Sequence, residues 1–374
     1  MARQTQDTKQ YPKTLLLAVE APYNDTKDIN SYFEEFKNLA KANGVKYEEF
    51  VTLKIRELDP TTFITTGKLE ELKKIVEKNS IEQIIISEPL TVKQERNLCD
   101  FLNCEVFDRT QLILEIFEKN AHTTEGKTQV EIAMLRHKKT RVAGKGVHFS
   151  QQSGVIGSRD PGETAKEKEL RNIDERILKL RRQLEQLQKT RETQRKKRLS
   201  GNIPLICLVG YTNAGKSTIL NALTKSDVLA QDKLFATLDT TTRELYINKI
   251  KKGLISDTVG FIQMLPPHLI EAFKSTLSEL KYADLLLHVV DISDKNWESQ
   301  IRVVHEILEN LGISAQMLYV FNKVDNLNTI DQYNYALRKY KPNVIISALS
   351  KEGIQPLVNY LDIWEKIPDL KVAT

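Results

Sequence analysis

At 374 residues, with 40% hydrophobic and 28% charged residues, the chain is long enough for two or three domains with cores of their own. No apolar run approaches the length of a membrane span, and the first ten residues lack the apolar stretch of a secretory leader, so a cytoplasmic protein is expected. The net charge is a modest +5, and Cys99, Cys104 and Cys207 form no CxxC pair and have no His cluster nearby, which favours buried apolar roles over a zinc centre.

From about Lys13 to Asn120 apolar runs alternate with helical periods. Thr14–Val19 and Gln83–Ser87 read as buried strands, and Ile29–Ala42, Lys68–Lys78, Val92–Leu102 and Gln111–Lys119 as helices, which predicts a small α/β domain over 1–125 with a mostly parallel sheet. A different pattern occupies 126–200. Lys127–Lys139 carries the apolar positions of a helix, and the Gly-rich stretch from Arg141 to Gly162 has neither helical nor strand period. From Glu163 onward Leu170, Ile173, Ile177, Leu180, Leu184 and Leu187 recur at alternating three and four residues, a narrow heptad stripe ending near Ser200-Gly201. An antiparallel helical hairpin with an outward Gly-rich loop is the expected outcome.

Charge concentrates in this hairpin. Between Glu163 and Ser200 there are 13 Lys or Arg against 7 Asp or Glu, a net of +6 that exceeds the total for the chain. Such a run is often only a solvated spacer helix. Localised positive charge beside glycines also suits RNA, with Arg141, Lys145, Gly154 and Arg159 as candidate contacts. His148 and Phe149 are placed either to stack on a splayed base or to pack back on the hairpin.

The remaining chain, 201–367 with a short tail over 368–374, holds the strongest motifs. Ile203–Val209 reads as a buried strand feeding Gly210-Tyr211-Thr212-Asn213-Ala214-Gly215-Lys216-Ser217-Thr218, a G-x-x-x-x-G-K-[ST] loop that leads into a helix. In such a loop backbone N–H groups curl around phosphates, the lysine reaches the β- and γ-phosphates, and the Ser217 hydroxyl is a Mg²⁺ ligand. Leu254–Gly260 is an apolar run ending in Asp257-Thr258-Val259-Gly260, which suits a carboxylate near Mg²⁺ and an N–H on the γ-phosphate. Met317–Phe321 delivers Asn322, Lys323 and Asp325 to a strand end, where the Asp325 carboxylate suits the N1 and N2 donors of guanine. Asn343–Ile346 leads to Ser347-Ala348-Leu349, whose backbone would close over the base. Together these predict a P-loop G domain with a mostly parallel sheet that binds GTP or GDP with Mg²⁺. Thr237, Thr240, Thr241 and Thr242 compete to sense the γ-phosphate, and spacing alone leaves both Thr237 and Thr241 open. Phe261 stands where well-studied small GTPases carry the glutamine that orients the attacking water.

At this point the chain resembles the HflX family of translational GTPases. The resemblance rests on Thr66–Leu72, Asp108–Phe117, Thr124–Glu131, Pro161–Thr164 and Leu234-Phe235-Ala236-Thr237-Leu238-Asp239-Thr240-Thr241-Thr242-Arg243, together with the G-domain motifs. It implies that Phe235–Asp239 meets the nucleotide with Thr237 as the second Mg²⁺ ligand. It also implies binding to the large ribosomal subunit and its RNA, with GTP-dependent release or splitting of stalled ribosomes, under stress or antibiotics. Off the ribosome a monomer is expected. The chain departs from the family pattern at Asp160 and Ala165-Lys166 in the Gly-rich segment and along Ser87–Gln94. Because Phe261 cannot orient water, slow intrinsic hydrolysis stimulated by the ribosome is expected. The alternative is a nucleotide-gated RNA-binding protein with incidental turnover. An ATP-driven RNA remodeller is a third reading, which Asn322, Lys323 and Asp325 oppose for this site but not for a second nucleotide in the N-terminal domain.

Overall fold

The computed structural model describes residues 11–24, 28–144, 165–200, 203–224, 234–235, 238, 240–264, 277–326 and 330–366. These fall into two compact units, Met1–Ile116 with Met134–Glu175, and Phe117–Ala133 with Arg176–Thr374. The three-part division drawn from composition differs from this, because each hairpin helix contributes residues to both units.

The first unit is an α/β sheet in which β1 (Thr14–Glu20), α1 (Ile29–Asn43), β2 (Glu49–Lys54), α2 (Thr66–Asn79), β3 (Gln83–Ile86), α3 (Val92–Leu102) and β4 (Glu105–Asp108) alternate. All four strands are parallel, in the order β2-β1-β3-β4. Helices cover a parallel sheet on both faces, so its central strands are apolar throughout. Accordingly Thr14–Val19 and Ile84–Ile86 are buried at every position. Helix α1 starts where the Asp28 carboxylate accepts from the Asn30 and Ser31 amides. Thr91 and Gln94 form a reciprocal capping box at the start of α3, so part of the segment that departs from the family pattern has a local structural use.

Helix α4 (Arg109–Asn120) leads into α5 (Thr124–Gly144) and, beyond the Gly-rich segment, α6 (Ala165–Ser200). In the first unit the two helices run antiparallel, with Lys138 paired to Glu169 at 3.0 Å and Lys139 to Asp174 at 2.6 Å. Ile173, Ile177 and Leu180 of the heptad stripe are buried.

The second unit is built on β5 (Leu205–Gly210), α7 (Lys216–Thr224), β6 (Thr241–Ile247), β7 (Ile250–Asp257), β8 (Leu285–Asp291), α8 (Trp297–Asn310), β9 (Gln316–Asn322), α9 (Ile330–Lys339), β10 (Asn343–Ile345) and α10 (Lys351–Ile363). The sheet order is β10-β9-β8-β5-β7-β6, parallel except for the β6–β7 hairpin. The expected architecture, a mostly parallel P-loop sheet preceded by a smaller α/β unit and a helical hairpin, is therefore what the chain adopts. Strands β2, β4, β6 and β8 were not anticipated. Trp364 lies one residue past α10, where its backbone is extended and its indole donates to the Gln316 carboxamide at 3.0 Å.

Candidate functional site

The P-loop is set at the C-terminal edge of the second sheet by two glycines that admit no side chain. Gly210 has φ +151°, and a Cβ there would sit 2.2 Å from the Val289 carbonyl oxygen. Gly215 has φ +98°, and its Cβ would meet the Asn322 amide nitrogen at 2.3 Å. The loop crosses at once to the strand bearing Asp257. Thr212 donates its amide to the Phe261 carbonyl at 2.8 Å, and Phe261 donates its own to Gly210 at 3.2 Å.

Lys216 is buried, with Nζ donating to the Tyr211 carbonyl at 2.8 Å and to Gly210 at 3.2 Å. Burial lowers its pKa to about 8, a shift that the nearby Asp257 carboxylate opposes. A phosphate group prefers the charged amine, so nucleotide affinity is expected to weaken as pH rises through that value. With a pKa near 8 the protonated fraction falls about four-fold between pH 7 and 8.5. Titration of GDP binding over that range should show a comparable loss, and a Lys216→Ala variant should show weak binding with no such slope. A flat profile in the parent protein would contradict the assignment.

Asp257 is fully buried. Its Oδ2 accepts from the Ser217 hydroxyl at 2.5 Å, and its Oδ1 accepts from the Thr258 amide at 2.9 Å. A serine hydroxyl and a carboxylate converging beside a phosphate cradle are hard oxygen donors of the kind Mg²⁺ takes, so the residues present fit that ion. Thr258 Oγ1 donates to the Leu208 carbonyl at 2.7 Å and locks this turn to β5. Gly260 packs against Thr212, where any Cβ would come within 2.7 Å of the threonine methyl. Val259 is buried beside it.

On the other side of the loop Asn322 acts as a brace. Its side-chain amide donates to the Ala214 carbonyl at 2.9 Å, and its oxygen accepts from the Ala348 amide at 3.0 Å. One buried side chain thus joins the phosphate loop to the Ser347–Leu349 loop. Ser347 donates its amide to the Gly353 carbonyl at 3.1 Å, while Leu349 is largely exposed. Lys323 has φ +63° and forms an ion pair with Asp291 at 2.7 Å. Asp325 is exposed in a short turn, Val324–Asn326, just beyond β9. Asn213, also left-handed at φ +62°, and Thr218 complete the described P-loop positions, one exposed and one half-buried.

Several candidates fall elsewhere. Ala236, Thr237 and Asp239 lie outside the described residues, as do Lys145, Gly154 and Arg159 of the expected RNA contact. Thr241 and Thr242, offered as alternatives to Thr237, are the first residues of β6 and pair with Asp257 and Ser256. Arg141 does not face outward. Its guanidinium lies 2.6 Å from Glu95 and 3.2 Å from Asp108, with only 14% of the side chain exposed, so its charge is spent inside the first unit. Phe235 and Leu238 are buried rather than open to a ligand. The Asp291 partner of Lys323 was missed. It lies opposite Asn322 across the β8–β9 register, a relation open only to a reading that places β8.

A Gly-x-x-x-x-Gly-Lys-Ser loop, an oxygen pair suited to Mg²⁺ and an Asn-Lys-x-Asp turn at a strand end of a mostly parallel sheet define a P-loop GTP-binding protein. Three family models cover the chain in series: GTP-binding GTPase N-terminal over 30–118, GTP-binding GTPase Middle Region over 120–198 and 50S ribosome-binding GTPase over 205–323. A GTPase HflX from Caldanaerobacter subterraneus subsp. tengcongensis is 42% identical over 351 residues, covering 94% of this chain and 80% of that protein. The GTPase HflX of Escherichia coli K12 is 39% identical over 341 residues, covering 91% and 80%. Among solved structures, that of SsGBP in complex with GDP aligns with a TM-score of 0.52 and 27% identity over 94% of this chain and 97% of that one. The chain belongs to the GTPase HflX family, and its activity is the hydrolysis of GTP.

Proposed function

We propose that this GTPase works on the large ribosomal subunit and dissociates or rescues stalled ribosomes, including those stalled by stress or antibiotics. In this reading the protein is a cytoplasmic monomer that joins ribosomes in its GTP-bound form. Support comes from the 50S ribosome-binding description of the family model over 205–323 and from the net basic charge of the hairpin. The GDP held by the related SsGBP supports GTP and GDP as the ligands here.

The chain's own residues divide the work. The Gly210–Thr218 loop cradles the phosphates, Lys216 neutralises their charge, and Asp325 accepts from guanine. Ser217, Asp257 and, by resemblance, Thr237 would hold Mg²⁺, which when bound offsets charge developing on the phosphates. RNA contact falls to the Gly-rich segment with Lys145, Gly154 and Arg159.

One observation carries the coupling to a partner. Phe261 is 2% exposed, and its backbone is bonded to Gly210 and Thr212. Neither the side chain's chemistry nor its burial lets it orient water, so the missing group comes from outside or from a rearranged switch. GTP hydrolysis under multiple turnover, alone and with purified large or small subunits, tests this. Large subunits are expected to accelerate turnover roughly 10³-fold or more, the scale of catalytic groups supplied in trans. Tight, GTP-dependent binding without acceleration would instead select a nucleotide-gated RNA-binding protein.

A further inference from the structure

Residues 210–212 and 261–263 are zipped together by hydrogen bonds. Thr212 donates its amide to the Phe261 carbonyl at 2.8 Å, and Phe261 donates to the Gly210 carbonyl at 3.2 Å. Two residues on, the Gln263 amide donates to the Tyr211 hydroxyl at 2.6 Å. Tyr211, Phe261 and Ile262 are all buried, so these bonds form away from bulk water. The seam holds the end of the Asp257–Gly260 turn against the phosphate loop. Gly260 has no room for a side chain there: a Cβ would lie 2.7 Å from the Thr212 methyl, 2.8 Å from Thr212 Cα and 2.9 Å from Lys216 Nζ. Thr212 and Lys216 therefore converge on one face of Gly260.

At that meeting point one polar atom is left unexplained. Thr212 is 6% exposed, and among the described residues its Oγ1 has no hydrogen-bond partner. A buried hydroxyl without a partner carries an uncompensated desolvation cost, and such atoms are rare enough that each calls for a reason. A valine would fill the same β-branched shape without that cost. Packing therefore does not account for a threonine here. Loops of this kind meet phosphates with groups that give a hydrogen, the backbone amides and the lysine. The Thr212 hydroxyl adds one more donor on the side of Gly260 where Lys216 Nζ lies. Bonds from such a donor to a charged oxygen are the stronger ones.

We propose that Thr212 is a specificity residue: its hydroxyl donates to the terminal phosphate of GTP and separates GTP from GDP. The proposal rests on the reading of Gly210–Thr218 as the phosphate loop with Gly260 facing its γ-phosphate end. GDP brings no group to that end, so the hydroxyl gains a partner only with GTP. Thr212 does not replace the water-orienting group that Phe261 lacks. It holds the phosphoryl group and leaves the water to be placed from elsewhere.

The test measures affinities for a non-hydrolysable GTP analogue and for GDP in the full-length protein, beside thermal melts without added nucleotide. Thr212→Val removes the hydroxyl, Thr212→Ser keeps it, and Lys216→Ala checks the loop itself. Thr212→Val is expected to lower analogue affinity about ten-fold and GDP affinity less than about two-fold, while melting at or above the parent temperature. Thr212→Ser should keep the analogue-to-GDP ratio within about three-fold of the parent. An unchanged ratio in Thr212→Val, equal losses for both nucleotides, or a serine variant that behaves like the valine one would each overturn the proposal. So would a valine variant that melts well below the parent, since the hydroxyl would then have a structural partner. If Lys216→Ala binds GDP as the parent does, the reading of the loop fails and the proposal falls with it. A loss of GDP binding in Lys216→Ala beside an unchanged ratio in Thr212→Val keeps the loop and removes only the role of Thr212.

Discussion

Replacing Asp325 with Asn is expected to reverse the base preference of the protein. The carboxylate sits in the exposed turn after β9, on backbone fixed from both sides: Asn322 is braced to Ala214 and Ala348, and Lys323 is tied to Asp291. A carboxylate presents two acceptors, which match the adjacent N1 and N2 donors of guanine. An amide keeps one acceptor and turns a donor toward a donor. Hydrogen bonds to charged groups contribute about 1.5–3 kcal/mol each. The variant loses one of these bonds, loses the charge on the other and sets two donors against each other, which together correspond to a weakening of roughly 100-fold for GTP and GDP. Xanthine carries an oxygen in place of the 2-amino group and so accepts what the amide donates; its triphosphate should overtake GTP in competition binding. Retained guanine preference in Asp325→Asn would remove Asp325 from base recognition and shift attention to the Ser347–Leu349 backbone.

The parts of the site legible in the sequence are those whose chemistry is local. Glycines at 210 and 215 are demanded by backbone angles and by neighbours that leave no room for a Cβ, and their spacing to Lys216 and Ser217 is a property of one loop. Helix α3 spans Val92–Leu102 as its pattern predicts, and the Thr91–Gln94 capping box fixes its start. What escaped depended on contacts across the sheet or on which way a charged side chain turns. Strands β2 and β4 are short and only partly apolar, and β6 is an edge strand with several half-buried or exposed positions, so period-2 patterning is weak there. Strand β8 has a clear apolar run, Leu285–Val290, interrupted only by His288, and is absent from the expected elements. The basic cluster in α5 looked like an RNA face, yet helical charge spacing does not say whether Arg141 meets solvent or reaches Glu95 and Asp108. A bond from the Asn120 side chain to the Phe235 carbonyl spans 115 residues and has no sequence signature at all.

Arg109 provides the second large effect, this time on folding. Its side chain is 1% exposed and lies 2.5 Å from Glu35, itself 7% exposed, with the guanidinium stacked 4.7 Å over the Tyr32 ring. The pair stitches the start of α4 to α1 inside the first unit. Bringing two charges out of water is costly, and the pair offsets that cost only while both members are present. Arg109→Ala would take the cation away from the buried Glu35 carboxylate, with an expected loss of about 3–5 kcal/mol. Typical domains have only about 5–15 kcal/mol to lose. Urea unfolding should therefore show an early transition for the first unit. Replacing both partners, as in Arg109→Met with Glu35→Leu, should recover most of the loss, because neither charge of the pair is then buried. A cost below about 1 kcal/mol for the single variant is the behaviour of an exposed salt bridge and would mean that water reaches the pair. The same logic applies more weakly to Arg141, whose removal exposes Asp108 and Glu95 to each other. Arg141→Ala should lower stability while leaving RNA affinity in place, the opposite of what a surface contact would give.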